Sequence, residues 1–291
     1  MRLLLISLLF LGPLFAEEEP KKKNGLSQLA EKLLGKNAGN RFFYYPTKEG
    51  PYSPDEYGFR YEDVTFPSED GVKLHGWFIK ALNVEKPKGT VVFSHGNAGA
   101  VGHHVGFASW LMKGGYQVLL YDYRGFGKSE GKLDRSGMLK DVRGAFAYLK
   151  TRKDVDQQKL ISFGHSLGGA KSIAALGQKS VKGLRAVISL AGFASYKDMA
   201  RIVGGEVGED LVSDELSARD FVEKLSPVPL MIVHGKNDRV VPIGQGEVLF
   251  KKAKDPKTFF KVENGGHNNA LAMNEGDYEK KVLAWLDEVL K

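Results

Sequence analysis

The feature that most constrains the fold of this 291-residue chain is a succession of short apolar runs: TVVFSH, YQVLLYD, KLISFGH, LRAVISLAG, PLMIVHG and TFFKVE. Strands buried on both faces read as nearly continuous Val, Ile, Leu and Phe, unlike the polar–apolar alternation of half-exposed strands. Most of these runs are separated by segments of helical length and spacing, which predicts an α/β fold with a mostly parallel central sheet and helices on both faces. Two earlier runs, EDVTFPS and GVKLHGWFI, do alternate and are expected as edge or half-exposed strands. The last segment, NEGDYEKKVLAWLDEVLK, places Tyr278, Val282, Trp285, Leu286 and Val289 on one helical face and closes the domain. There is no internal repeat and no sign of a second domain.

The N-terminus has one Arg, an apolar run from Leu3 to Leu11, a Gly-Pro break and a small residue at Ala16. That pattern predicts an export signal cleaved after Ala16. The run is short of the roughly 20 residues a membrane span needs, but Leu14 fits poorly two positions before the cut, so an uncleaved membrane anchor is the alternative. Residues 1–16 are therefore signal peptide or anchor. Residues 17–61 are a linker, an amphipathic helix candidate at 26–36 and an aromatic-rich lead-in, and residues 62–291 are the main domain. The expected location is exported, periplasmic or secreted. Zero cysteines exclude disulfides, thiol chemistry, Cys-ligated metal and a lipoprotein anchor. The formal charge of +7 comes from lysines interspersed with acids, without a nucleic-acid motif, so no nucleic-acid partner is expected. Weak contact with a membrane surface stays open, through the amphipathic helix and aromatics of residues 26–61.

Two stretches fit G-x-S-x-G: GHSLG around Ser166 and GKSEG around Ser129. Ser166 comes three residues after Phe163, and the small-residue segment 167–177 starts a helix at once. Strand, tight turn and helix form the context a nucleophile elbow requires, with Gly164 and Gly168 allowing the bend and the close packing. Ser129 lies in an extended glycine-rich loop with no helix behind it and is expected to be a loop residue.

A serine hydroxyl needs a base, and an imidazole is the usual one near neutrality. Only His234 and His267 follow Ser166 in the chain. His234 ends an apolar strand, which suits a structural residue, whereas His267 sits in the loop NGGHNN and is the expected base. Asp238, in HGKNDRVVP, is the expected acid that holds the imidazole. Asp198, Asp210, Asp214 and Asp220 read as solvated helix carboxylates. Two amides should stabilise an oxyanion: that of Leu167, after the nucleophile, and that of Asn97, in the loop SHGNAG. His95 and Gly96 are expected to shape that loop.

SHGNAG, YDYRGFGKSEG, GHSLGG, HGKNDRVVP and GGH, in this order, resemble the α/β-hydrolase superfamily over residues 60–291. The branch they are most similar to is the short-capped one that includes serine aminopeptidases and α/β-hydrolase-domain thioesterases. The resemblance implies a triad of Ser166, Asp238 and His267, donors at Asn97 and Leu167, and a structural role for Ser129 and Asp122. Residues 193–226 are the insertion able to form a short lid, with a break at Gly204-Gly205. The expected substrate is a small-molecule or lipid-like acyl ester or thioester, with no cofactor and no metal. A phosphate-binding loop at Gly127-Lys128-Ser129 is disfavoured by Asp122 at the position of the first glycine. His103 and His104, starting a partly exposed helix, are not expected to join His95 as metal ligands. An aminopeptidase-like activity is the alternative chemistry, with lid acids as candidate partners for a substrate ammonium. A non-catalytic binding protein on the same fold is the rival outside enzymes. Intact-mass measurement of the chain from its native host is expected to find Glu17 at the N-terminus; a species retaining residues 1–16 would establish the anchored form.

Overall fold

The computed structural model describes residues 25–35 and 37–291, so the apolar N-terminal run and its expected cleavage point lie outside the described residues. Eight strands form the main sheet: β1 Tyr61–Pro67, β2 Lys73–Ile79, β3 Thr90–Ser94, β4 Gln117–Tyr121, β5 Leu160–His165, β6 Leu184–Leu190, β7 Leu230–Gly235 and β8 Lys257–Val262. Their order across the sheet is β8-β7-β6-β5-β3-β4-β2-β1. All neighbours run parallel except β2, which is antiparallel to both β1 and β4. The expected parallel sheet is therefore present, and each parallel strand delivers its following loop to the same edge.

Among the described residues seven α-helices accompany it: α1 Gly25–Leu34, α2 Val105–Lys113, α3 Arg135–Leu149, α4 Leu167–Gln178, α5 Tyr196–Asp210, α6 Gly244–Lys252 and α7 Met273–Val289. Buried residues of α3, α4 and α6 share one core cluster, whereas those of α2 and α7 share another with the opposite sheet face. In α7, Val282 and Leu286 are fully buried while Tyr278, Trp285 and Val289 pack at its margin, the face the periodicity predicts. Helix α1 ends two residues before the expected position because Gly35 adopts φ 92°, a left-handed conformation that stops a helix.

Two expectations need correcting. Strand β8, at the sheet edge, is half-buried, with only Val262 fully buried. Strand β2 alternates in sequence, yet every residue from Leu74 to Ile79 is buried, because β1 covers one edge and β4 the other while helices cover both faces. Its polar member, His75, is accommodated by ion pairing: Nε2 lies 3.1 Å from Asp63 and Nδ1 3.4 Å from Asp122. Strand β1 is the half-exposed edge strand that its alternation predicts.

A buried ion pair ties the loop after β4 to α3. The Arg124 guanidinium donates to Asp141 at 2.7 Å and 3.0 Å, to Asp70 at 2.8 Å and to Ser68 at 3.0 Å, and the Arg124 amide donates to Asp141 at 2.9 Å. Asp141 has no exposed side-chain surface. Removing the guanidinium strands a buried carboxylate, so Arg124→Ala is expected to destabilise the fold by about 3–5 kcal/mol in denaturant titration. A loss under about 1 kcal/mol would show that the pair is dispensable.

Candidate active site

Ser166 occupies the one-residue turn between β5 and α4, with φ 54° and ψ −117°, a combination that costs an L-residue about 1–3 kcal/mol. Neighbouring glycines make the turn possible. A Cβ on Gly168 would lie 1.9 Å from the Ser94 carbonyl oxygen, and one on Gly164 would lie 2.3 Å from the Gly168 carbonyl oxygen. Only residues without a side chain let α4 start this close to β3 and β5. The Ser166 amide donates to the Leu190 carbonyl at 2.8 Å, and the Ser166 hydroxyl does not cap α4.

The loops after β7 and β8 meet beside it. Asn237 N–H donates to Gly265 O at 2.9 Å and Lys236 N–H to Val262 O at 2.9 Å, which fixes one loop against the other. His267 Nδ1 then lies 2.8 Å from Asp238 Oδ2. A carboxylate only accepts, so Nδ1 carries the hydrogen and Nε2 keeps its lone pair. Asp238 Oδ1 accepts the amides of Val240 and Val241 at 2.9 and 2.8 Å, and Oδ2 lies 3.4 Å from His234 Nε2. Burial alone would raise its carboxyl, but the contacts with His234 and His267 and the Val241 amide win, holding it below the usual carboxylate range. No hydrogen bond joins the Ser166 hydroxyl to the imidazole among the described residues. What binds the His267 loop to the elbow is His165: its Nε2 donates to the His267 carbonyl at 3.2 Å, and the two rings are 5.1 Å apart.

Opposite the elbow, four consecutive carbonyls of the loop after β3 are each engaged. Gly96 O accepts from His95 Nδ1 at 2.8 Å and Asn97 O from Tyr45 N–H at 2.8 Å. Ala98 O accepts from His104 Nε2 at 2.9 Å and Gly99 O from Thr47 N–H at 3.0 Å. The carbonyls are thereby held in place, while the amides of Asn97 and Leu167 make no hydrogen bond among the described residues. Residues 45–47 of the lead-in therefore help build this loop. Sequence reasoning missed them because their contribution is backbone; the aromatic density of 42–61 was the one available signal.

Ser166, Leu167 and Asn97 line a single cavity of about 470 Å³. Its other walls come from the lead-in (Phe42, Phe43, Tyr45), from Phe193 and α5 (Met199, Val203, Val207), and from Val240 and Val241. Among the described residues, no charged side chain lines it. Helix α5 loses helical geometry at Gly204 and Gly205, the expected break.

Other candidates fall away from the cavity. Ser129 is buried in a structural bridge, donating to Asp122 O at 2.7 Å and accepting from the His75 amide at 2.9 Å. Asp122 receives the Val101 amide at 2.9 Å. His104 departs from the partly exposed reading: it is buried, stacked on His95 at 4.8 Å. Asp214 is likewise no solvated carboxylate, since it accepts from Ser195 Oγ at 2.8 Å, Lys197 N–H at 3.0 Å and Ser217 Oγ at 2.7 Å and pairs with Arg219. It anchors the start of α5. No cluster of metal-binding side chains occurs among the described residues.

A mostly parallel sheet in this order, with a strained serine turn after its central strand β5 and a histidine–aspartate pair from the loops after β7 and β8, defines the α/β-hydrolase class. The chain belongs to that superfamily. The family described as serine aminopeptidase, S33, matches residues 85–205. Protein YfhR of Escherichia coli O157:H7 is 38% identical over 244 residues, 83% of this chain and 84% of its own. The alpha/beta hydrolase domain-containing protein WAV2 of Arabidopsis thaliana is 30% identical over 260 residues, 83% of each chain. The Pyrococcus furiosus esterase Pf2001 is similar in fold, with TM-score 0.73, 20% identity, and coverage of 86% of this chain and 99% of that one.

Three histidines around the site are buried and held neutral. Burial pushes His165 down to about 3 and His104 down to about 4, and it drives His95 well below the ordinary imidazole value. Each donates one N–H to a carbonyl, so protonating any of them puts an uncompensated charge in the core. In the unfolded chain they take up protons near pH 6.5. Below that value the unfolded state binds more protons, so stability falls with pH down to about 4, where His104 begins to titrate in the folded state. Melting temperature is expected to drop across this window, and His104→Gln should flatten the drop. An unchanged slope would assign the acid sensitivity elsewhere.

Proposed function

We propose that this α/β hydrolase is a serine hydrolase that cleaves carboxylic esters or thioesters through an acyl-enzyme, with Ser166, His267 and Asp238 as its triad. The observation that carries this reading is the shared lining of one charge-free cavity by Ser166 and by the residues bearing two unengaged amides, Asn97 and Leu167. In the proposed reaction, Ser166 Oγ attacks the substrate carbonyl carbon while its proton passes to His267 Nε2. The Asp238 carboxylate stabilises the imidazolium through Nδ1. The amides of Asn97 and Leu167 hold the tetrahedral oxyanion, supported by the positive N-terminal end of α4. The imidazolium then protonates the departing alcohol or thiol, and a water deprotonated by the same ring releases the acid. Catalytic hydrogen bonds in ligand-free sites commonly close only when substrate binds, consistent with the missing Ser166–His267 contact.

An aminopeptidase-like reaction is the alternative, drawn from the family description. Such an enzyme must hold a substrate ammonium, and buried charge requires a partner. None of the lid acids (Glu206, Glu209, Asp210, Asp214 or Glu215) lines the cavity, and Asp214 is already engaged. The lining favours an apolar acyl group.

Ser166→Ala is expected to abolish labelling by a fluorophosphonate probe and to lower ester turnover by roughly 10³-fold or more. Ser129→Ala should retain labelling per folded molecule. In a panel of p-nitrophenyl esters and aminoacyl anilides, the esters should be the better substrates. Labelling that survives at wild-type level in the Ser166 variant, or anilides turning over faster than every ester, would overturn the corresponding part of the reading.

A further inference from the structure

Helix α1 is inside out. Leu26, Leu29, Leu33 and Leu34 recur at intervals that place them on one stripe of a 3.6-residue helix, and they are 64%, 52%, 74% and 50% exposed. Its single buried residue is Ser27. A helix normally turns its apolar stripe toward the protein. Here that stripe faces outward although the helix packs beside α5. The exposed apolar surface continues onto α5 at Ile202, 50% exposed, and Val203, 85% exposed. It then reaches the cavity itself, since Val203, Phe42, Tyr45 and Val240 are exposed residues that also line it.

We infer that this surface docks on a lipid bilayer, with α1 lying in the interface and the cavity mouth opening onto the acyl-chain region. Three observations select lipid over a second copy of the chain. The segment that precedes α1 carries, in the uncleaved form, the apolar run Leu3–Leu11, joined to the exposed helix by residues 12–24 with Lys21, Lys22 and Lys23. Exposed Lys32 on α1, Arg41 over the Phe42 ring and Arg239 next to Val240 supply cations that an anionic headgroup layer attracts. The apolar rim is also continuous with an apolar interior, so a chain leaving the bilayer enters the cavity without crossing water. Contiguous exposed apolar surface of this kind marks an interaction site in a soluble protein. Docking rests on the surface alone; the passage of an acyl chain rests on the reaction proposed above.

The absence of cysteine from the sequence allows a direct test. Single cysteines in the full chain, Leu33→Cys, Ile202→Cys and, at the opposite edge of the sheet in the turn before β5, Lys153→Cys, carry an environment-sensitive dye. On phosphatidylcholine–phosphatidylglycerol vesicles, emission at positions 33 and 202 is expected to shift to the blue and be quenched by spin-labelled lipid, with position 153 unchanged. Because the N-terminal run could tether the chain by itself, binding with positions 33 and 202 still in water would overturn the inference. So would an equal shift at position 153, or a lipid-free shift that grows with protein concentration, which identifies a second copy. A separate variant, Leu29→Glu with Leu33→Glu, should keep turnover of a water-soluble ester and lose about 10-fold or more on a vesicle-dispersed one; equal turnover of both by wild type and variant would also overturn it. If wild type turns over neither ester, the acyl-transfer reading fails while the dye positions still decide docking.

Discussion

The closest approach in the molecule on which function depends is that of Gly168 to the Ser94 carbonyl. At that point the first turn of α4 rests directly on the end of β3, with no room for even a methyl group. This contact forces Ser166 into its left-handed turn, since the chain must reverse within one residue between β5 and a helix already in place. It also decides what lies across from the serine: the loop that leaves β3 immediately after Ser94. The strain at Ser166 is local, about 1–3 kcal/mol, and is offset by the burial of nearly every residue of α4.

Around this point the protein uses neutral polar groups in place of charge. His95, His104 and His165 donate to the carbonyls of Gly96, Ala98 and His267, so the loops after β3 and β8 are fixed by imidazoles that do not ionise at ordinary pH. The one charged side chain in the proposed machinery, Asp238, is surrounded by two imidazoles and two amides. The cavity next to it stays free of charge. This separation lets an ionised acid and an apolar acyl pocket exist a few ångströms apart without the cavity paying a desolvation cost.

How much of this was legible follows from where the information resides. The apolar runs marked six strands: burial on both faces leaves its mark along β3 to β7, whereas β8, at the sheet edge, has only Val262 fully buried. Strand β2 was misjudged: its neighbours β1 and β4 are set by topology, and alternation in one strand does not reveal what lies across its edges. Ser166, Asp238 and His267 were proposed from glycine-flanked turns after apolar runs; the structure hydrogen-bonds the last two and puts the first in the tight turn between β5 and α4. The roles of His104 and His165 were hidden, since an imidazole donating to a carbonyl has no sequence spacing. Asp214 read as surface because its partners Ser195 and Ser217 flank it from separate turns. The outward stripe of α1 was visible as amphipathicity, but which way it faces is a property of packing.

The pairing of Tyr45 and Thr47 with the loop after β3 changes what counts as the smallest working unit of this protein. A sheet with its helices, beginning at β1, would retain the nucleophile turn, the histidine and the aspartate, all of which lie later in the chain. It would lose two of the four hydrogen bonds that hold residues 96–99 and the cavity wall built by Phe42, Phe43 and Tyr45. The segment that looks like a tether is therefore a component of the scaffold around the proposed site, and a minimal domain or fusion that keeps this wall begins ahead of residue 37.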